Sequence, residues 1–402
     1  MTTQARTLHH NLISLPAGKT ADAVVAERHD IVLLFDARKA NPNGDPDTGN
    51  MPRLQPATLR GLVTDVCLKR KVRNFFSLYH PNGQPRGENP PHPGFAVFIR
   101  ENAILQETLE SDAVKTEAKR LFNAWLPEQQ EWKTEADELL QGDVFDLKAK
   151  SGLNEAKKKQ AKALVKKLNE HVDRAYRDAL CSLYIDNRWF GAVASTEGPL
   201  KGSFYGQIRG PLQFAFAESL DRVLQLDATI TRCAVASEKE KPDGSEAEDT
   251  GNRTMGRKHL VDYGLYRTQI YFSPAFAAKT GFSYYDLDNF FFALTHMFRD
   301  DNAAGRTGLR VVGLVDFQHT SALGNEHAHK LFELVKVART EVSKRRGDYP
   351  SCHNGSDPLH DNYAGSAPEG IVCEVSENGS KRTSVTAKKL VWELHPEAAS
   401  DL

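Results

Sequence analysis

The segment at residues 29–38, HDIVLLFDAR, constrains the fold of this chain more than any other. Its centre is continuously apolar and rich in β-branched residues, which predicts a short central strand covered on both faces. The segment that follows, KANPNGDPDTGNMPRLQPAT, is crowded with Pro, Gly, Asn and Asp, so neither a helix nor a strand fits it. It predicts a long loop, and long ordered loops in compact domains are usually functional.

Residues 58–79, TLRGLVTDVCLKRKVRNFFSLY, predict a helix capped by Thr58, because apolar residues recur there at a spacing of three to four. Four basic residues cover other faces near its C-terminal half: Lys69, Arg70, Lys71 and Arg73. Cations at that end of a helix also complement its dipole, so a structural role and a binding role both stay open.

From about residue 101 to residue 186 the pattern becomes helical and highly charged. Seven apolar residues recur every three or four positions: Ala161, Leu164, Leu168, Val172, Ala175, Ala179 and Leu183. Six lysines lie on the other side: Lys157, Lys158, Lys159, Lys162, Lys166 and Lys167. We interpret this stretch as an inserted helical subdomain, and such a lysine-rich face is more often solvated than a binding site.

Three strands are predicted after Trp189. One contains the alternating residues Leu212, Phe214 and Phe216, and the others lie at residues 228–236 and 265–272. Between the last two lies an acidic stretch, SEKEKPDGSEAEDTGN, followed by the strongly basic RTMGRKH.

Ser283 and Asp286 resemble a capping box that begins a second helix. A strand at 306–318, a short helix at 325–335 and a hairpin at 371–387 with an Asn-Gly turn complete the pattern. Without the helical subdomain, the order is strand, helix, strand, strand, helix, strand. That order is the βαββαβ unit of ferredoxin-like and RNA-recognition folds, in the α+β class.

The composition is globular, with no membrane span and no apolar core of a signal peptide at the N-terminus, which predicts a cytoplasmic protein. The formal net charge of −1 argues mildly against a nucleic-acid partner unless the positive charge is segregated. Widely spaced cysteines predict reduced thiols, no structural metal site and no cofactor. These cysteines are Cys67, Cys181, Cys233, Cys352 and Cys373.

The run DIVLLFDARKANPNGDPDTGNMPRLQPATLRGLVTDVCLKRKVRNF resembles the opening of the type I-C Cascade backbone subunits, the Csd-two branch of the Cas-seven superfamily of CRISPR proteins. Three later blocks match in order: NRWFGAV with GQIRGPLQFAFAESLDRV, ITR with NRTMGRKHLVDYGLYRTQIYFS, and TGFSYYDLDNFFFALTHMF with GLVDF and LGNEHAHKLFELV. The length and order of these blocks carry the resemblance.

The resemblance implies a modified RNA-recognition palm, a helical fingers insertion and a β-hairpin thumb. It implies a palm at 29–79 and 190–345, fingers at 80–189 and a thumb at 228–272 within the palm. We interpret residues 1–28 as a poorly ordered or docking tail and residues 346–402 as a C-terminal extension that is additional to the family pattern.

The function implied by the resemblance is that of a non-catalytic subunit in antiviral defence, with several copies arranged head to tail along one CRISPR RNA. The thumb of one copy folds over the RNA on the next, and the exposed bases pair with the target DNA. The other implied partners are the large subunit, the small subunit and the cap subunit that processes the CRISPR RNA.

A subunit that binds RNA without reading its sequence needs donors directed at phosphates. The sequence contains no aromatic RNP1 signature, so base stacking on the sheet is not expected. The predicted RNA-binding residues are Asn41, Asn43, Arg53, Lys69, Arg70, Arg73, Arg209, Arg253, Arg257, Lys258, His259 and Arg267.

The main alternative is a metal-dependent RNA endonuclease that uses Asp36, Asp45 and Asp47, as relatives in type III complexes use an aspartate after the first strand. Ordinary turn chemistry explains Asp-Pro and Asp-Thr-Gly better.

Other metal sites are less favoured. A calcium loop starting at Asn41 would place Pro at its sixth and twelfth positions instead of Gly and Glu. His319, His327 and His329 are expected to lie on the surface, with the last two facing apart. Motifs of small-molecule α/β enzymes are missing from the sequence.

Overall fold

In a computed structural model, the strand predicted at residues 29–38 is present and covers His29–Ala40. The structure describes residues 6–141, 144–232, 254–345, 347–350, 362–377 and 381–394. The described chain combines a large antiparallel sheet with helices, which confirms the α+β class.

The strands, numbered along the chain, are β1 His29–Ala40, β2 Gly44–Asp45, β3 Met51–Pro52, β4 Arg60–Val63, β5 Gly191–Val193, β6 Gln207–Arg209, β7 Leu212–Phe214, β8 Ala217–Arg222, β9 Gln225–Arg232, β10 Thr254–Phe272, β11 Leu309–His319, β12 Lys336–Arg339, β13 Tyr363–Ser366, β14 Gly370–Glu377 and β15 Lys381–Trp392. The helices are α1 Asp65–Leu78, α2 Leu105–Leu109, α3 Asp112–Trp125, α4 Gln130–Leu139, α5 Glu155–Leu183, α6 Ile185–Phe190, α7 Pro274–Thr280, α8 Tyr284–His296, α9 Ala328–Glu333 and α10 Glu341–Arg345.

The chain divides into two units, which are described separately. The helical unit contains residues 1–26, 73–213 and 273–291. The sheet unit contains residues 27–72, 214–272 and 292–402.

The sheet unit is built around β1. Its strands follow the order β14, β15, β11, β1, β10, β8, β4, and each pairs antiparallel with the next. The first nine residues of β1 are buried, because β10 and β11 pair with its two edges and apolar side chains cover its faces. This placement confirms the predicted central strand.

The predicted hairpin near the C-terminus is also present. β14 and β15 pair antiparallel, and β15 joins the main sheet by pairing with β11. The Asn-Gly turn itself lies outside the described residues.

The predicted helix start at Thr58 is wrong. Residues 60–63 form β4, which pairs with β8, and the helix α1 begins at Asp65. Thr64 is the cap, since its Oγ1 accepts a hydrogen bond of 3.3 Å from the backbone N–H of Cys67. Leu59 lies just before the strand with a φ of 57°, a left-handed conformation that a helix does not contain.

The predicted apolar face of the inserted subdomain is confirmed in the helical unit. Six of its seven residues are buried along the helix α5, where they pack against α3 and α4, and Leu183 is partly buried. The capping box of α8 is also confirmed: Ser283 Oγ accepts from the N–H of Asp286 at 3.3 Å, and Asp286 Oδ2 accepts from the N–H of Ser283 at 2.9 Å.

The described part of the N-terminal tail docks on the helical unit. The backbone N–H groups of His10 and Leu12 donate to the two carboxylate oxygens of Asp288, at 3.0 and 2.8 Å. Within the described chain, no helix has the length and apolar character that crossing a membrane requires. Cys67, Cys181 and Cys373 are free thiols, and the other two cysteines lie outside the described residues.

Candidate nucleic-acid interface

The loop after β1 is held by its own asparagines. Asn41 donates from Nδ2 to the carbonyl of Asn50 at 2.7 Å, and it is 8% exposed. Asn43 Oδ1 accepts from the N–H and the hydroxyl of Thr64, at 3.0 and 3.1 Å. Asn41 therefore holds the loop and Asn43 fixes the start of α1, and the predicted RNA contact of these two residues stays a prediction.

Arg53 and Asp45 form an ion pair of 3.3 Å within the same loop. Asp45 Oδ1 also accepts from the N–H of Asp47 at 3.2 Å, which is the turn chemistry predicted for this sequence. The prediction that this loop contains no strand is wrong, because β2 and β3 form a short hairpin in it.

Asp36 lies inside β1 and not in the loop that follows it. The carboxylate is fully buried and accepts hydrogen bonds from Arg38 Nε at 2.9 Å and Arg310 Nε at 3.0 Å. Sequence reasoning missed both arginines as its partners. The signal was available, since a charged residue within an apolar strand needs a paired cation when it is buried.

The basic residues of α1 differ in what they contact. Lys69 pairs with Asp65 one turn earlier at 3.1 Å, and Lys71 is buried against Asp301. Arg70 is exposed. Lys69 and Lys71 therefore have partners within the fold, and the binding role of the cluster stays a prediction.

Arg73 and Arg209 belong to the helical unit. Arg73 Nε bonds the buried carboxylate of Asp186 at 2.9 Å, and Asp186 also accepts from the N–H groups of Phe98 and Ile99. In this network Arg73 has a structural role, as the cation that pairs with a buried carboxylate. Arg209 lies on β6 and is exposed.

Strands β9 and β10 form two paired arms in the region predicted as the thumb. The register runs from Arg232 opposite Thr254 to Gln225 opposite Val261. Arg257 is exposed on this ladder, Lys258 is half-buried, and His259 Nδ1 pairs with Asp227. Arg253 and the acidic stretch lie outside the described residues.

Arg267 lies further along β10, and its guanidinium donates to the backbone carbonyls of Phe332 and Val335. Burial lowers the pKa of this guanidinium. The contacts give Arg267 a role in the fold that the sequence did not indicate, and they turn its donors away from a ligand.

Lys39 is an exposed cation that sequence reasoning did not select. It lies at the end of β1, next to Asn41, with a φ of 45°. Its position could have indicated it, because it lies where a buried strand meets a long loop, and binding residues are often found on loops.

The histidines are placed differently from the expectation. His319 is 1% exposed, because its Nε2 bonds Asp30 at 3.0 Å while its Nδ1 accepts from the N–H of Asn325 at 2.8 Å. His327 and His329 are exposed, but their rings stack at 5.7 Å and do not face apart, since the helix α9 begins only between them. Among the described residues, no cluster of three or more His, Cys, Asp or Glu side chains is placed to hold a metal ion.

Comparisons with known proteins find one family. A family model described as CRISPR-associated protein Cas7 matches residues 27–353. A protein of Haloferax volcanii with the same description is 45% identical over 47 residues, a match that spans 12% of this chain and 14% of the relative.

Two solved structures are similar over most of the chain. One, a CRISPR RNA-guided surveillance complex described as pre-nicking, has 14% identity and a TM-score of 0.35, over 82% of this chain and 83% of that one. Another CRISPR RNA-guided surveillance complex has 10% identity and a TM-score of 0.28, over 92% and 96%.

Proposed function

This chain belongs to the CRISPR-associated protein Cas7 family, and from that membership we propose that it is a CRISPR RNA-binding backbone subunit of a type I-C Cascade complex. The single observation that carries the proposal beyond the family is the pair of arms, β9 and β10. They carry Arg257 and Lys258 where no described carboxylate pairs with either cation. Cations on an extended ladder suit phosphates, which are the sequence-neutral part of RNA.

The palm is an RNA-recognition-like domain. Within the main sheet, β11, β1, β10 and β8 follow one another as the fourth, first, third and second strands of a βαββαβ unit. That arrangement supports the proposal because the ferredoxin-like sheet has the same order. The paired arms are the thumb, and the helices of residues 80–189 are the fingers.

The RNA contacts are made by cations that the fold does not already use. Arg257, Lys258 and Arg209 keep this role, and Lys39 joins them because it is exposed at the end of β1. Arg73 and Arg267 leave the set, since their donors are bonded to Asp186 and to backbone carbonyls.

The protein is not a nuclease in this proposal. Asp36 is neutralised by two arginines, and Asp45 is bonded to Arg53 and to its own turn. A catalytic metal site needs carboxylates that are free to coordinate the ion. Several copies assemble head to tail on one RNA in the cytoplasm, together with the large, small and cap subunits, and the bound RNA pairs with target DNA.

Charge reversal on the arms tests the proposal. We expect Arg257→Glu with Lys258→Glu to abolish assembly on CRISPR RNA, measured as the protein-to-RNA ratio on RNAs of increasing length, and to leave the melting temperature nearly unchanged. The matched control is Lys162→Glu with Lys166→Glu, which reverses two exposed lysines of α5.

Equal loss in both double variants would contradict the role of the arms. A head-to-tail contact that does not close into a ring lets further copies add as the RNA lengthens. A number of protein copies that stays fixed on longer RNAs would therefore contradict the filament. Metal-dependent RNA cleavage that disappears in Asp45→Ala or Asp47→Ala would contradict the non-catalytic assignment.

A further inference from the structure

A cavity of about 390 Å³ lies within the helical unit. Residues from the C-terminal part of α5, from the end of α7 and from the N-terminal tail line it. Cavities that hold small molecules usually have volumes of about 300 to 1,000 Å³, so this one has room for a small ligand. None of the residues predicted to bind RNA lines it.

Cations outnumber carboxylates in the lining. The cationic residues are Arg6, Arg174, Arg177, Arg188 and Lys279, and the acidic ones are Asp22, Asp178 and Asp286. Five positive charges against three negative charges leave an excess of two. Each carboxylate already has an arginine partner: Arg6 with Asp22 at 2.7 Å, Arg177 with Asp178 at 2.5 Å, and Arg188 with Asp286 at 2.8 Å.

The two remaining cations are available to a ligand. Arg174 reaches Asp178 only at 3.7 Å and is 56% exposed, and that carboxylate is already bonded by Arg177. Lys279 is exposed at the end of α7, and within the described chain no carboxylate pairs with it. Lys279 Nζ lies over the Phe276 ring, 5.9 Å from its centroid, and such a contact at an exposed site is weak, so both side chains can turn toward a bound anion.

Three carbonyl oxygens near the cavity already accept hydrogen bonds. Two helices end here, and their free carbonyls would otherwise favour a cation. Arg188 donates to the carbonyls of Cys181 and Gly94, at 2.6 and 2.9 Å, and the carbonyl of Ala277 accepts from the N–H groups of Gly281 and Phe282. These three oxygens therefore have donors within the protein and do not attract a cation to the cavity.

One buried donor has no partner. Thr280 lines the cavity, is 6% exposed, and its hydroxyl makes no hydrogen bond to any described residue. A buried hydroxyl without a partner is costly, and a ligand oxygen would relieve that cost. Cys181 beside it does not oppose an anion, because burial raises the pKa of its thiol to about 12 and keeps it neutral.

We propose that this cavity binds a phosphate group through Arg174, Lys279 and the hydroxyl of Thr280. Phosphate is the common ligand rich in acceptors and negative charge that such donors recognise. The group comes from a small molecule such as orthophosphate or a nucleoside monophosphate, or from the backbone of a nucleic acid. The three residues are distinct from those proposed above to bind RNA.

Titration calorimetry of the full chain tests the site, with orthophosphate and adenosine monophosphate at constant ionic strength. We expect saturable binding that weakens about tenfold in Arg174→Ala and in Lys279→Ala, as the loss of one charge-assisted hydrogen bond predicts. The buried isostere Thr280→Val should also weaken binding, and Thr280→Ser should retain it. Lys162→Ala removes an exposed charge of α5 outside the cavity and should leave the affinity unchanged.

No saturable binding in the wild type, or equal loss in the cavity variants and in Lys162→Ala, would overturn the site. A competition arm distinguishes the two sources of phosphate. Single-stranded RNA that displaces orthophosphate assigns the site to a nucleic-acid backbone, and RNA that binds without displacing it assigns the site to a small phosphorylated molecule.

Discussion

The two halves of β10 are one continuous strand with opposite surroundings. The half that pairs with β9, residues 254–261, carries Arg257 on its exposed side. The other half pairs with β1 and is buried, with Tyr263, Leu265 and Tyr266 fully inaccessible. Burial raises the pKa of Tyr266, which keeps its phenol neutral.

This difference decides what a basic side chain does. Arg267, in the inner half, donates to the backbone carbonyls of Phe332 and Val335, and its loss would remove one donor from each. The Phe332 carbonyl would keep its hydrogen bond from the N–H of Val335. Arg257, in the outer half, contacts no described carboxylate. A cation becomes structural where buried acceptors surround it, and it remains available to a ligand where only solvent does.

The largest expected loss of stability comes from removing the buried carboxylate beside the inner half of β10. Asp36 lies on β1 opposite Leu265, and Asp36→Ala would leave Arg38 without its buried partner. Removing one member of a buried pair costs about 3–5 kcal/mol, and we expect the lower end because Arg310 is 42% exposed. Urea unfolding measures the loss. Asp36→Asn, which keeps an acceptor, should cost less, and equal costs would show that the charge is unimportant.

A smaller loss should follow from Arg267→Met, which removes the donors and keeps most of the apolar stem. The Val335 carbonyl loses the Arg267 donor, while the Phe332 carbonyl keeps the N–H of Val335, and we expect a loss of about 1–3 kcal/mol in the free energy of unfolding. Arg257→Met is the matched control on the same strand and should stay within about 0.5 kcal/mol of wild type. Similar values for both variants would erase the distinction between the two halves.

The elements that could be predicted from the sequence are those formed by residues close to one another in the chain. The apolar period of α5, the capping box of Ser283 and Asp286, and the hairpin of β14 and β15 follow from residues that are close in the chain. The start of α1 could not be predicted in this way, because β4, which precedes it, pairs with β8, a strand far away in the sequence.

The same limit applies to the candidate site. Exposed cations such as Arg257 follow from composition, but the partners that commit Arg73 and Arg267 to the fold lie more than sixty residues away. No local pattern carries such a contact. His319 is the clearest case, since Asp30, which makes its burial possible, lies on a strand at the other end of the sequence.

Acid should lower the free energy of unfolding by protonating the buried carboxylate of Asp30. Burial by itself raises the pKa of this carboxyl, but hydrogen bonds from His319 and Arg28 outweigh burial and hold the pKa below its usual value. A depressed pKa in the folded state means that the stabilisation is complete above the unfolded value of about 3.9 and is lost as the pH falls through the folded value. We expect the stability gap between wild type and Asp30→Asn to narrow from pH 5 downward in urea unfolding. A gap that widens toward low pH would reverse the sign.

The smallest effect on stability is expected on the outer half, where Arg257→Ala and Lys258→Ala should change the free energy of unfolding by less than about 0.5 kcal/mol. We expect these two substitutions to change the affinity for RNA instead. Each phosphate contact that is lost should reduce the slope of log affinity against log salt by about 0.7, and the loss should be the same for unrelated RNA sequences, since phosphates carry no sequence. Fluorescence anisotropy over a range of salt concentrations measures both quantities. An unchanged slope would show that these cations are only solvated. A loss that depends on RNA sequence would instead indicate base contacts, and the outer half would then be a reader of sequence.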